Sequence, residues 1–150
     1  MKLINRNTDY AIRALCFMAE HNRKEETIPV SELVERLKVP QPFLRKILQI
    51  LNKKKLVKSY KGIRGGFKLT NSPDQIFLVD LIEVFQGPFK LNECILKKNI
   101  CPDIMSCALK KKIDAIEKHV IRELKSVTIG SLLNGAQTHT YKKGGLRCQK

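Results

Sequence analysis

Residues 40–70 read PQPFLRKILQILNKKKLVKSYKGIRGGFKLT, and this stretch decides the fold. Phased at about 100° per residue, Phe43, Leu44, Ile47, Leu48 and Leu51 fall on one side of a helix. Pro42, Arg45, Lys46, Gln49 and Lys53 fall on the other. Pro42 suits the first helical position, where a missing N–H costs nothing. The face turned from the core is built of side chains that reach phosphates or base edges, as a helix entering a major groove requires. Behind it, residues 56–61 and 67–70 are strand-like runs flanking Gly62-Ile63-Arg64-Gly65-Gly66, which predicts a β-hairpin with a glycine-rich tip. Lys61 and Arg64 sit on that tip, where long cations can enter a minor groove or grip the backbone.

Upstream, Tyr10, Ala11, Ala14, Leu15, Met18 and Ala19 recur at helical spacing, so residues 8–21 read as a first helix stopped near Asn22. Ser31 is a candidate N-cap for a short second helix over 32–37, and Val39-Pro40-Gln41-Pro42 breaks the chain before the third. Two short helices joined by such a break form a helix-turn-helix, and the hairpin after them makes it winged. Downstream, the apolar residues 76–85 predict a short helix packed on the first. Residues 89–106 show little periodicity. A long helix over 108–127 then carries Leu109, Ile113, Ile116, Val120, Leu124 and Val127 as a stripe among Lys and Glu, the pattern of a seam for a partner helix.

The fold expected is therefore mainly α with a small β-hairpin wing, a winged helix-turn-helix domain plus a long C-terminal dimerisation helix. Its parts are a head over 1–88, a cysteine-containing loop over 89–107, the dimerisation helix and end segment over 108–133, and a disordered basic tail over 134–150.

Charge supports a polyanionic partner. Lys and Arg number 29 against 14 Asp and Glu in 150 residues, a formal charge of +15. Residues 36–73 hold eleven of those cations (Arg36, Lys38, Arg45, Lys46, Lys53, Lys54, Lys55, Lys58, Lys61, Arg64 and Lys68) and no acid, so one surface has been kept free of carboxylates. A run of charge alone is usually a solvated face; here it coincides with the winged helix. No run approaches the roughly 20 apolar residues of a membrane span, and no signal-peptide pattern opens the chain, so a cytoplasmic protein without a membrane role is expected. Phosphate-binding Gly-x-x-x-x-Gly-Lys-Ser/Thr loops, Gly-x-Ser-x-Gly elbows and His-Glu-x-x-His pairs are absent from the sequence, which argues against an enzyme and a small-molecule substrate.

The five cysteines are Cys16, Cys94, Cys101, Cys107 and Cys148, an odd count that does not suit a secreted disulfide framework. Cys16 lies in the first helix between Leu15 and Phe17, as a small buried hydrophobe would, and Cys148 lies in the basic tail as a free thiol. Cys94, Cys101 and Cys107 are spaced Cys-x6-Cys-x5-Cys, wider than zinc ribbons and knuckles, and one thiolate short of the usual iron–sulfur set. By themselves they fit free thiols, or a cluster completed by a fourth donor from elsewhere.

With these residues in hand the sequence resembles the IscR/NsrR family, in the Rrf-two superfamily of bacterial transcription regulators. The resemblance rests on Leu3-x5-Asp9-Tyr10-Ala11-x-Arg13-Ala14-Leu15, on the wing Gly62-x-x-Gly65-Gly66-Phe67, on the cysteine triplet and on Val127-Thr128-Ile129-Gly130-Ser131-Leu132, and it covers about residues 1–133. It implies a homodimeric regulator that binds a palindromic double-stranded DNA operator, usually as a repressor. It also implies an iron–sulfur cluster, [4Fe-4S] or alternatively [2Fe-2S], whose loss, oxidation or nitrosylation changes operator affinity. The family's loop cysteines are cluster ligands, here Cys94, Cys101 and Cys107. Cluster-biogenesis members add a His three residues after the last cysteine, a position held here by Lys110. Nitric-oxide-sensing members carry Thr-Asp-Tyr near the N-terminus and use its Asp from the opposite subunit; Thr8-Asp9-Tyr10 matches, so Asp9 is the implied fourth ligand. Glu93, Asp103 and His119 are the other candidate donors, and a first-turn carboxylate complementing the helix dipole is the plain structural role for Asp9.

Three rival readings use the same residues. A cluster-free regulator of this fold would sense oxidants directly through its thiols. A thiol or metal-dependent enzyme would need a base beside a thiolate, and His21, His119 and His139 have no local pairing with a cysteine. A nucleic-acid-coating protein would bind without sequence preference and with strong salt dependence.

Overall fold

The computed structural model describes residues 3–21, 27–91 and 106–138. Helix α1 (Arg6–Glu20) opens the head, followed by α2 (Val30–Leu37), α3 (Gln41–Lys53), strands β1 (Val57–Tyr60) and β2 (Gly66–Leu69), a 3-10 turn (Pro73–Gln75), α4 (Leu78–Gln86), α5 (Ala108–Ser126) and α6 (Ile129–Thr138). This is the mainly helical winged helix-turn-helix expected from the sequence.

Helix α1 starts where Asn5 takes an extended conformation and its side-chain oxygen accepts from the Thr8 N–H (2.8 Å). Its Ala11, Ala14, Leu15 and Met18 are buried at helical spacing and meet Leu33 of α2 and Leu44, Ile47, Leu48 and Leu51 of α3 in the main core. The alanines let neighbouring helices approach closely, so every turn of α1 packs.

Two helix starts differ from the expected ones. Helix α2 begins at Val30 rather than 32, because extended Pro29 (φ −63°, ψ 148°) supplies the carbonyl that accepts from the Leu33 N–H (3.3 Å). Ser31 is thus an exposed residue of the first turn and makes no cap. In α3, Pro42 is second rather than first, after Gln41. The first turn has no internal N–H acceptor at either place, so nothing is lost.

The two wing strands pair antiparallel with Val57 opposite Leu69 and Tyr60 opposite Gly66. A third segment joins them: Ile28 N–H donates to the Phe67 carbonyl and Phe67 N–H to the Ile28 carbonyl, both at 2.9 Å. The wing is bolted to the chain entering α2. That contact explains Gly66, where a Cβ would sit 2.4 Å from the Ile28 carbonyl oxygen. At Gly65 a Cβ would sit 2.5 Å from the Tyr60 oxygen.

Helix α4 packs on α1, as expected for residues 76–85, and its Leu78, Val79 and Ile82 form a second buried cluster with Leu124 of α5. The α5 stripe divides there. Val120, Leu124 and Val127 pack on the same chain, while Leu109 is 69% and Ile116 47% exposed. A short antiparallel bridge fixes the exit of α5 against the entry of α4, with Leu78 N–H donating to the Val127 carbonyl and Ile129 N–H to that of Ile76, each at 2.9 Å. Helix α6 runs past the boundary expected at residue 133, so the tail placed at 134 begins as helix and the rest of it lies outside the described residues. Its start is capped reciprocally: Ser131 N–H donates to Thr128 Oγ1 (3.0 Å) and Thr128 N–H to Ser131 Oγ (2.9 Å).

Cys16 sits half-buried beside the core, where burial first and Glu20 second push its thiol from 9.0 to about 11. The folded value lies above the unfolded one, so folding favours the protonated thiol. That contribution is complete below about pH 9 and fades as the pH climbs through about 11.

Two outcomes follow from this packing. Gly66→Ala is expected to cost about 1–3 kcal/mol through overpacking against the Ile28 carbonyl, read as a lower urea midpoint; an unchanged midpoint would contradict the close approach. Iodoacetamide at about pH 8 should modify Cys16 only after unfolding, so peptide mapping that finds Cys16 alkylated in native protein would contradict its protonated, packed state.

Candidate functional site

The acid-free surface resolves into a concave face between α3 and the wing. Arg45, Gln49 and Asn52 line it from α3, Ser59, Tyr60 and Lys61 from the wing, and Ser31 and Gln41 from the turn region, around a volume of about 470 Å³. The helix-turn-helix and the bolted hairpin together hold these side chains. Of the residues predicted from sequence, Arg45, Gln49 and Lys61 meet in this concavity. Pro42, Lys46, Lys53 and Arg64 do not line it, although all four are exposed on the same two elements.

Sequence reasoning missed Asn52, Ser31, Gln41, Ser59 and Tyr60. Asn52 carried a usable signal, since it stands three and seven residues after Gln49 and Arg45 on one helical face. Tyr60 did not, because it joins the concavity only through the folding of the hairpin; the Lys58 ammonium stands 5.4 Å from its ring centre. An aromatic ring and five polar or amide groups join the cations, so the face can read base edges as well as hold phosphates.

The cysteine segment is only partly described. Cys94 and Cys101 lie outside the described residues, as do Glu93 and Asp103. Cys107 is the N-cap residue of α5, a half-buried free thiol whose sulfur accepts from the Lys110 N–H at 3.4 Å. The Lys110 ammonium pairs with Asp114 one turn on, and His119 is exposed on α5. Among the described residues no three His, Cys, Asp or Glu side chains gather into a metal-binding group.

Asp9 is in the first turn of α1, half-exposed, and its Oδ2 accepts from Arg13 Nε at 2.9 Å. Its neighbours on either side are tightly held. Thr8 is fully buried, and its hydroxyl donates to Gln86 Oε1 (2.9 Å), the side chain that also accepts from the Asn5 N–H (2.7 Å). Gln86 is the last residue of α4, joined through Gly87-Pro88 to the cysteine-containing segment expected from 89. Tyr10 packs edge-on against Phe43 in the first turn of α3, with ring centres 5.6 Å apart and planes at 82°. The backbone that carries Asp9 thus touches both the root of the cysteine segment and the start of the helix lining the concavity.

Comparison with known proteins places this arrangement. The Rrf2 family profile, described as an iron-dependent transcriptional regulator, matches residues 4–135. The chain is 32% identical over 134 residues to a putative HTH-type transcriptional regulator of Aquifex aeolicus, covering 88% of this chain and 92% of that one. It is 30% identical over 135 residues to the HTH-type transcriptional regulator NsrR of Oceanobacillus iheyensis, covering 89% and 91%. Among solved structures its fold is similar to T. potens IscR, with a TM-score of 0.71 and 24% identity over 96% of this chain and 94% of that one. It is also similar to CymR, the global cysteine regulator of B. subtilis, with a TM-score of 0.73 and 24% identity over 90% and 98%. These relatives are transcriptional regulators rather than enzymes, and no helix among the described residues is long and apolar enough to cross a membrane. The profile and the sequence identities, with the winged helix and its acid-free concavity, establish that the chain belongs to the Rrf2 family of transcriptional regulators.

Proposed function

We propose that the chain is a homodimeric, sequence-specific DNA-binding repressor. Its operator affinity is set by an iron–sulfur cluster held by Cys94, Cys101 and Cys107 of one subunit and Asp9 of the partner subunit. The observation that carries the DNA-binding part is the concavity in which Arg45 and Gln49 of α3 face Lys61 of the wing with no carboxylate among the lining residues. With α3 in a major groove, Arg45 and Lys46 approach base edges, Gln49 and Lys53 extend the contact, Pro42 sets the start of the helix, and Lys61 and Arg64 reach the flanking groove or backbone. Arginine pairs best with guanine there. Two such faces related by a two-fold axis read a palindrome, and the exposed Leu109 and Ile116 of α5 support a second subunit as their cover.

The described donors fit a cluster. Cys107 ends the cysteine segment with a partly accessible thiol that accepts a backbone N–H, the kind of hydrogen bond to sulfur that tunes such centres. Asp9 is half-exposed, and among the described residues its carboxylate is engaged by an exposed ion pair worth about 0–1 kcal/mol, so it is inexpensive to redeploy. When bound, a [4Fe-4S] or [2Fe-2S] centre would supply reactivity toward nitric oxide, oxygen or iron limitation. The chain's own part is transmission. A pull on Asp9 acts on the first turn of α1, and through the Tyr10–Phe43 contact, of a type worth about 0.5–1.5 kcal/mol, on the first turn of α3. Because two half-sites must be met at once, about one helical turn apart, a small tilt weakens both contacts.

A thiol-sensing, cluster-free regulator is the second reading, favoured by one observation: Cys107 is a free and partly exposed thiol. Protein purified without oxygen separates the two. Broad visible absorption with iron and sulfide bound, lost in Cys101→Ala and weakened in Asp9→Ala, is expected for the cluster. Colourless protein after anaerobic reconstitution, with thiol-dependent DNA binding, would replace it with thiol sensing, and a fully loaded Cys101→Ala protein would remove that ligand.

On the DNA side, Arg45→Ala is expected to cost about 1–3 kcal/mol on specific sequence and to relax preference at one base pair. Equal losses on specific and random duplex, measured by titration at fixed salt, would reduce Arg45 to a phosphate contact.

A further inference from the structure

The tip of the wing carries a fully exposed apolar side chain. Ile63 is 107% exposed, so it makes no packing contact with the head, and it stands between Lys61 and Arg64. An isoleucine cannot bond a phosphate, and the core gains nothing from it.

The tip is nevertheless firmly built. Gly65 N–H donates to the Gly62 carbonyl at 2.9 Å, closing a turn whose two corners are Ile63 and Arg64, and Gly62 takes the bend at φ 107°. Thr27 Oγ1 donates to the Arg64 carbonyl (2.7 Å), so the corner itself is tied to the chain entering α2. The paired bonds between Ile28 and Phe67 secure the strand behind it. Ile63 is β-branched, with few rotamers to lose on insertion.

Resting on the DNA-binding reading, we infer that Ile63 is an apolar wedge: it enters the minor groove beside the major groove occupied by α3, guided by Lys61 and Arg64, and partly unstacks one base step. Aliphatic side chains on minor-groove binders act in this way and kink the duplex. Pyrimidine–purine steps open most easily, so Ile63 selects such a step at a position where no side chain bonds a base edge.

The test uses the full-length chain and a duplex that it selects from a random library, with 2-aminopurine placed at the step under the wing. Wild-type protein is expected to raise the 2-aminopurine fluorescence and bend the duplex. Ile63→Ser should weaken binding about tenfold, the scale of one lost base-pair preference, abolish both signals, and leave the salt dependence and the urea midpoint unchanged, because no charge and no packed atom is removed. Ile63→Leu should retain the signals. Arg64→Ala should instead flatten the salt dependence by about one phosphate contact. Ile63→Ser protein that binds and bends like wild type overturns the wedge alone, as does a wild-type complex without bending or 2-aminopurine change. Wild-type protein that selects no duplex overturns the DNA-binding reading and the wedge with it.

Discussion

Helix α1 is the element through which the rest of the head is held, and it can serve that role because Ala11 and Ala14 present almost no side chain to their neighbours. Both are fully buried, with Leu15 and Met18 beside them, and α1 packs on α2, α3, α4, α6 and β2. Larger residues at 11 or 14 would drive these elements apart, since close-packed interiors have no spare volume. The same helix is fixed at its start by polar rather than apolar contacts. Asn5, buried Thr8 and Gln86 share hydrogen bonds that satisfy the Asn5 and Thr8 N–H groups and tie the helix start to the end of α4. The buried Thr8 hydroxyl has two acceptors within reach of its one proton, Asn5 Oδ1 (3.0 Å) and Gln86 Oε1 (2.9 Å), and displacing it from both would leave a buried donor unsatisfied. The first turn of α1 is thus tied both to the end of α4 and, through the Tyr10–Phe43 contact, to the start of α3.

The concave face is governed by an opposite condition, since its side chains must stay free of the protein to be available for a ligand. The absence of acid over residues 36–73 keeps its cations from pairing internally along that stretch. Their attraction to phosphate is long-ranged but weakened by salt, so it supplies encounter and affinity more than choice. Choice needs groups at fixed positions. Arg45, Gln49 and Asn52 gain that fixity from a helix whose other side is buried, and Lys61 gains it from a wing whose β2 is bonded to Ile28 on one side and to β1 on the other.

How much of this was legible in the sequence depended on whether the signal was local. The apolar phase of α3 and the glycines of the wing were readable because each residue answers to its own helix or turn: Leu44, Ile47, Leu48 and Leu51 are buried as the phase requires. Gly66 showed itself as a glycine, but its reason, the Ile28 carbonyl, is a long-range contact. Helix α6 escaped notice because Gly130 and Gly135 lower helical propensity, while the Thr128–Ser131 cap and the bridge to Ile76 that start it depend on side-chain and tertiary partners. Ser31 was misread for a related reason. Its type favours caps, but the carbonyl of Pro29 had already begun the helix. In the concavity, the phase that found Arg45 and Gln49 extends to Asn52, whereas Tyr60 and Ser59 belong to it only because the hairpin folds back toward α3.

The divided stripe of α5 bears on how sensing and dimerisation are connected. A 19-residue helix is about 28 Å long, and in this fold its C-terminal end is fixed by Leu124 in the second cluster while its N-terminal part carries exposed Leu109 and Ile116. Cys107 caps that same exposed end. In the proposed dimer, the last cysteine of the cluster segment and the first apolar residue of the seam are thus two residues apart on one rigid element. In that dimer a change in how Cys107 is held would reach the seam, and the seam would set how far apart two copies of α3 stand. The other route, through Asp9 and α1, ends on α3 from within the subunit. Under the proposed function these two routes, one through the core of α3's own subunit and one through its partner, would let a bond change at a single segment alter both the tilt and the spacing of two copies of α3.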